Sequence, residues 1–188
     1  GNGHLLGLGD MSEANGAIPG TREGQPGHPE GTHVNGHDMD IAYYQLNGDD
    51  NHLRAVCDHY QGGQDAYHCT SEPVNFDLWR TALFLAKMHD NPSLRVIGVD
   101  GKLGVQITTA MNQMCSAGWI QGEACTNPKV TYETTDNGYG WYHFHHHHFH
   151  ISVSGGVGLS SGDSGPECFL PGCAQVNPET DPRAHIYH

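Results

Sequence analysis

Sixteen of the 188 residues are histidine, and the chemistry open to the chain lies in two places where they gather. One is His33-Val-Asn-Gly-His37-Asp-Met-Asp40; the other is Trp141-Tyr-His143-Phe-His145-His146-His147-His148-Phe149-His150. Neutral imidazole and carboxylate are ligands that zinc favours, and a catalytic zinc site takes three of them while a fourth position stays open for water. His33 and Asp40 can supply two, because Gly36 lets the chain turn from a loop bearing the first into a strand bearing the second. His150 would be the third. On a strand, the rings of His148 and His150 face the same side about 7 Å apart, so one can bind the metal while the other stands beside the water. Asp38 shares a face with Asp40 and is placed to orient a ligand imidazole from behind.

A run of four histidines could also be the remnant of an affinity tag. A tag lies at a terminus, however, and is not followed by an alternating Phe-His-Ile-Ser-Val. Strand alternation turns His147 away from His148, so His147 reads as structural or exposed. The same reading holds for His52, His59, His68, His89, His185 and His188.

The elements that must position these residues can be traced. Met39, Ile41 and Tyr43 alternate with polar or small residues over 37–44, the period of a half-buried strand. A second alternating strand spans His146 to Val153, with His148, His150 and Ser152 on one side and Phe149, Ile151 and Val153 on the other. Between them, Asn75 to Met88 reads as a helix with Asn75 at its N-cap. Leu94 to Val99 is a short strand, and a second helix runs from about Val105 to Ala117, ending at Gly118. Residues 1–32 form a Gly- and Pro-rich irregular segment anchored by Leu5, Leu6, Leu8, Met11 and Ile18, and 154–188 a loop-rich tail. A single domain over 1–188 of α+β class is expected, with a central antiparallel sheet, helices on one side and long Gly-rich loops.

Eight Lys and Arg against 21 Asp and Glu give a net charge of −13. Neutralising phosphates requires clustered basic residues, so nucleic acid is excluded as a partner. No apolar run approaches the roughly 20 residues of a membrane span, and no signal-like leader opens the sequence. The six cysteines, Cys57, Cys69, Cys115, Cys125, Cys168 and Cys173, form no Cys-x-x-Cys pair. They could be buried thiols, but an even number in loop-like sequence favours disulfides and hence an oxidising compartment, periplasmic or exterior. Of the 15 full connectivities open to six cysteines, sequential pairing is expected, most of all for Cys168 and Cys173 across Pro171-Gly172.

The two histidine motifs together carry a resemblance. His33, Gly36, Asp38, Asp40 and Ile41, followed far downstream by His145, His148 and His150, are similar to the zinc peptidases grouped with lysostaphin, D-alanyl-D-alanine carboxypeptidases and the hedgehog signalling domain. Within that group the pattern is most similar to the penicillin-insensitive murein endopeptidases, and Arg95 to Asp100 followed by a helix resembles their central strand and helix. The resemblance implies Zn2+ bound by His33, Asp40 and His150, with His148 and His145 catalytic. It implies hydrolysis of peptidoglycan cross-links involving D-alanine, with muropeptides or wall peptides as partners. This chain departs from the pattern at Glu30, where the family often has histidine, and at Ser152-Val153-Ser154, where it has a basic stretch.

A carboxypeptidase acting on D-alanyl-D-alanine termini would use the same metal site, and a non-catalytic zinc-binding interaction module would keep the metal without turnover. Asn47-Gly-Asp49-Asp50 and Gly162-Asp163 offer oxygen ligands but fit no EF-hand spacing. Arg22, one of few basic residues and close ahead of His33, is a candidate for meeting a substrate carboxylate.

Overall fold

In the computed structural model of the chain, which describes residues 3–21, 24–47 and 50–154, the two alternating stretches become neighbouring strands. The elements are β1 (Asp38–Ala42), β2 (Tyr60–Gln61), β3 (Gln64–Asp65), α1 (Leu78–Met88), β4 (Leu94–Gly98), α2 (Gly101–Ser116), α3 (Glu123–Thr126), β5 (Val130–Thr131) and β6 (His148–Val153). They form a four-stranded sheet of order β1-β6-β4-β5 and a separate β2-β3 hairpin, an α+β architecture. The sheet is antiparallel across β1, β6 and β4, as expected. It becomes mixed at β5, which pairs parallel to β4 through Ile97↔Val130 and Gly98↔Thr131. The α2–α3 connection explains this, since a helical crossover returns the chain beside its own strand in the same direction.

Register divides the sheet by chemistry. Met39 pairs with Ile151 and Ile41 with Phe149, and this apolar side joins Leu85, Ile97, Leu103, Ile107 and Met111 in one core. Asp38, Asp40, His148, His150 and Ser152 take the alternate positions and are buried as well. The irregular N-terminal segment runs along the free edge of β1: Gly9 N–H donates to Asp40 O at 2.8 Å, Asp40 N–H to Asp10 O at 2.9 Å and Ala42 N–H to Gly7 O at 2.9 Å. Backbone pairing, more than the expected leucine anchors, holds that segment. Leu6 packs against the core, but Leu5, Leu8 and Met11 are exposed.

The helices begin where their caps allow. Asp77, not Asn75, caps α1, accepting from Arg80 N–H at 3.2 Å, because Asn75 is engaged with Asn47 instead. Helix α2 starts four residues earlier than the apolar periodicity predicts, because Asp100 accepts from Lys102 N–H at 2.9 Å. The Asp100 carboxylate also accepts from Cys69 N–H at 2.8 Å. Cys57–Cys69 and Cys115–Cys125 are disulfides, in keeping with sequential pairing, whereas Cys168 and Cys173 lie outside the described residues, as does all but Ser154 of the expected tail. No helix among the described residues is long and apolar enough to cross a membrane.

Candidate metal centre

The pairing of β1 with β6 sets Asp40 opposite His150 and Asp38 opposite Ser152. Directly opposed side chains stand on one face within reach of each other. His33 arrives from the loop ahead of β1, where His33, Asn35 and Gly36 adopt positive φ of 50°, 54° and 70°. Glycine adopts that backbone freely, and asparagine and histidine are among the residues most often found there; for His33 the conformation costs on the order of 1 kcal/mol, which its contacts must offset. Its N–H donates to Asp38 Oδ2 at 3.0 Å, and its ring is almost wholly buried.

These elements bring three side chains to one point. His33 Nε2 lies 3.2 Å from His150 Nδ1, His150 Nδ1 lies 3.0 Å from Asp40 Oδ1, and His33 Nε2 lies 3.4 Å from Asp40 Oδ1. Ligand atoms at zinc bond lengths around a tetrahedral ion stand about 3.3 Å apart. His150 Nε2 is 3.0 Å from Asp38 Oδ1. Both ring nitrogens of His150 thus face carboxylate oxygens, which only accept; with the ring proton on Nε2, bonded to Asp38, Nδ1 presents a lone pair toward Asp40. Two acceptors at that separation repel unless a proton or a cation lies between them. A proton serves one pair, whereas a divalent cation serves His33, Asp40 and His150 together, and two imidazoles with one carboxylate are a set that zinc accepts. Asp38 thus holds both the His33 backbone and the His150 ring.

The remaining two predicted residues flank this triangle. His148 Nε2 is 3.5 Å from Asp40 Oδ1, and His145 packs against His148 with ring centroids 5.3 Å apart. His145 Nδ1 lies 2.7 Å from the His143 carbonyl, which can only accept. The ring proton therefore sits on Nδ1 and Nε2 has a free lone pair. Tyr43, in the core, fixes the backbone here by donating its hydroxyl to His145 O at 2.9 Å.

His147 departs from expectation. The chain is not yet a strand at 145–147, so alternation does not turn His147 away; its Nε2 stands 3.2 Å from His148 Nδ1. A His148 tautomer with the proton on Nδ1 donates to His147 and leaves Nε2 open.

Electrostatics separate the groups. Burial disfavours the charge on Asp40, but hydrogen bonds with His150 and His33 and the nearby His148 ring outweigh it and hold the carboxyl far below its usual range. Burial also opposes charge on His33, yet the Asp40 carboxylate raises that ring above its ordinary value. His145 is pushed down to about 4, chiefly by burial. Burial likewise lowers His147 to about 4 and carries His148 well below its usual value.

A pH dependence of stability follows for the metal-free protein. Unfolded, these rings protonate near pH 6.5; folded, they resist until much lower pH, so the unfolded chain binds more protons and acid favours it. Their stabilisation is present above pH 6.5 and is lost as pH falls toward 4, with His145 contributing roughly 3 kcal/mol. Asp40 acts in the same sense at still lower pH. His33 acts in the opposite sense, stabilising below pH 6.5 and losing that contribution as pH rises through its folded value. Thermal melts at pH 7.5, 6 and 5 should show a falling Tm; a Tm that rises on acidification refutes this balance.

Residues that spacing did not single out complete the surroundings. The His28 ring stacks on His33 at 3.8 Å between centroids, and its Nε2 lies 2.9 Å from Asp10 Oδ2. Arg95 donates through Nε to Ser152 Oγ at 3.2 Å, with Nη2 3.9 Å from Asp38 Oδ1. Trp141 stands with its ring centroid 5.8 Å from that of His150 and 5.4 Å from that of His145. The Trp141 backbone N–H donates to Glu133 Oε2 at 2.7 Å, and Glu133 also accepts from the backbone N–H groups of Asn137 and Tyr139, so one buried carboxylate shapes the loop that delivers Trp141. The indole lies on Gly98, where any Cβ would overlap it. Gly98→Ala therefore forces the indole away and should cost roughly 1–3 kcal/mol, read as a drop in Tm with altered tryptophan fluorescence.

A cavity of about 490 Å³ is lined by His68, Asp100, Lys102, Glu133 and Tyr142 among others, but by none of the five predicted site residues. Arg22 lies outside the described residues. No family model, curated protein or solved structure matches the chain.

Proposed function

We propose that the chain is a zinc-dependent murein endopeptidase that hydrolyses peptidoglycan cross-links involving D-alanine, in a periplasmic or extracellular setting. The observation that carries the reading is the triangle of His33 Nε2, Asp40 Oδ1 and His150 Nδ1, with sides of 3.2, 3.0 and 3.4 Å. The motif resemblance supplies the substrate class, and the two disulfides support an oxidising compartment.

Zinc held by these residues would supply Lewis acidity toward a scissile carbonyl and lower the pKa of an attacking water. The side chains do the rest. Asp38 fixes the His150 tautomer through Nε2–H, which keeps Nδ1 available as a ligand atom. His148, kept neutral by burial and with Nδ1–H directed to His147, offers Nε2 to take the proton from the attacking water. His145 enters neutral, with Nδ1–H committed to His143, so it stabilises developing negative charge only after Nε2 has gained a proton. Its role is therefore sequential: it takes up the proton that His148 removed from the water, returning His148 to its neutral form, and then delivers that proton to the departing amine.

The test is incubation of zinc-loaded protein with purified muropeptides, resolved by mass, beside a chelator-treated control. Cross-linked dimers should be consumed in the loaded sample only. Loss of terminal D-alanine from pentapeptides with dimers left intact would assign a carboxypeptidase instead. Bound zinc with no wall fragment altered would overturn the enzymatic reading.

A further inference from the structure

A second histidine–carboxylate group lies apart from the first and takes no part in the chemistry above. The β2-β3 hairpin pairs Tyr60 with Asp65, and Ala66 N–H donates to His59 O at 2.8 Å, so the two ends of the hairpin carry His59 and Asp65 side by side. His59 Nδ1 is 3.0 Å from Asp65 Oδ1. The third member, His146, comes from the segment ahead of β6, which Val56 N–H holds by donating to His146 O at 3.2 Å. His146 stacks on His59 with centroids 4.5 Å apart and planes 22° from parallel. One donor atom from each of the three residues lies within 4.8 Å of the other two.

Two features separate this group from an ordinary stacked pair. His146 is 6% exposed, yet its Nδ1 has no hydrogen-bond partner. Leaving such an atom unpaired is a cost that folded proteins seldom accept. The hairpin is also too short to hold itself: four paired residues without a third strand are marginal in water. The Cys57–Cys69 disulfide closes its base, immediately outside the residues that bear His59 and Asp65. Burial, with the His59 ring beside it, keeps His146 neutral, the form in which imidazole binds metal.

We propose that His59, Asp65 and His146 bind a second divalent transition-metal ion. Two imidazoles and a carboxylate suit zinc, cobalt, nickel or copper, and not calcium or magnesium, which take oxygen ligands. The ion fastens the hairpin to the polypeptide between His145 and His148. It is a staple at the back of the segment that carries the proposed catalytic residues, and it does not depend on what those residues catalyse.

The experiment is equilibrium dialysis of chelator-stripped protein against zinc alone, with bound metal quantified per chain. Asp65→Asn and His59→Gln are the informative variants, because both side chains are partly exposed at 32% and 20% and their loss leaves the core untouched. The wild-type chain should bind two equivalents, each of these variants one, His150→Ala one, and the Asp65→Asn/His150→Ala double variant none. Cobalt-loaded wild type should lose one set of visible absorption bands in Asp65→Asn and the other in His150→Ala. A wild-type chain whose bound zinc is unchanged by both Asp65→Asn and His59→Gln refutes the second site. Loss of one equivalent in Asp65→Asn but none in His150→Ala upholds it and sinks the first.

Discussion

His150→Ala should remove the zinc equivalent at the sheet centre and abolish hydrolysis together. Two of the three sides of the ligand triangle end on His150 Nδ1, at 3.2 Å from His33 and 3.0 Å from Asp40. Without it, one imidazole and one carboxylate remain, too few for a site that must hold an ion and still leave a position open. Zinc affinity should fall by at least about 10³-fold, equivalent to roughly 4 kcal/mol. Asp38→Asn makes the graded comparison. It keeps His150 but replaces the acceptor of the Nε2–H bond, and loss of such a partner costs metal sites about 10–100-fold in affinity. Isothermal titration of the stripped variants with zinc gives both numbers. If His150→Ala binds zinc at this site as tightly as wild type, the ligand assignment is wrong.

Why so much of this centre could be read from sequence, and the rest could not, follows from how each residue is delivered. Asp38, Asp40, His148 and His150 sit on strands, and period-two alternation with apolar neighbours assigns each to a face before any pairing is known. His33 was accessible through Gly36, whose φ of 70° the turn requires. The cross-strand register Asp40↔His150 is not legible in the pattern, because a slip of two residues keeps every side chain on its face and changes every partner. Trp141 acquires its position from a glycine on β4 and a carboxylate at Glu133. Neither stands near it in sequence, and no periodicity links them. His28 and His59 come from loops, where spacing carries no facing rule, and Asp65 from a two-residue strand too short to show a period. His147 departs for a related reason: a strand beginning at His146 would turn it away from His148, but the backbone joins the sheet only at His148.

His148→Ala should separate binding from turnover. His148 lies outside the triangle, with Nε2 3.5 Å from Asp40 Oδ1, so the three ligand atoms survive its removal and zinc stoichiometry should match wild type. Turnover should not survive. A positioned general base contributes about 10²–10⁴-fold, and among the described residues neither neighbouring ring is placed to replace it at full efficiency. His147 abuts His148 through Nε2, and His145, although its Nε2 is free, is fixed by the Nδ1–H bond to His143 O. The expected signature is a kcat lowered by two to four orders of magnitude with KM for muropeptide little changed, because the lost interaction is made in the transition state rather than in the bound substrate. A His147→Ala variant sharpens the assignment. It keeps the His148 ring but removes the acceptor that fixes its tautomer, so its loss of kcat should be real but smaller than that of His148→Ala. Wild-type turnover in His148→Ala, with zinc bound, would remove this residue from the reaction and shift the role of base to His145, whose Nε2 is free.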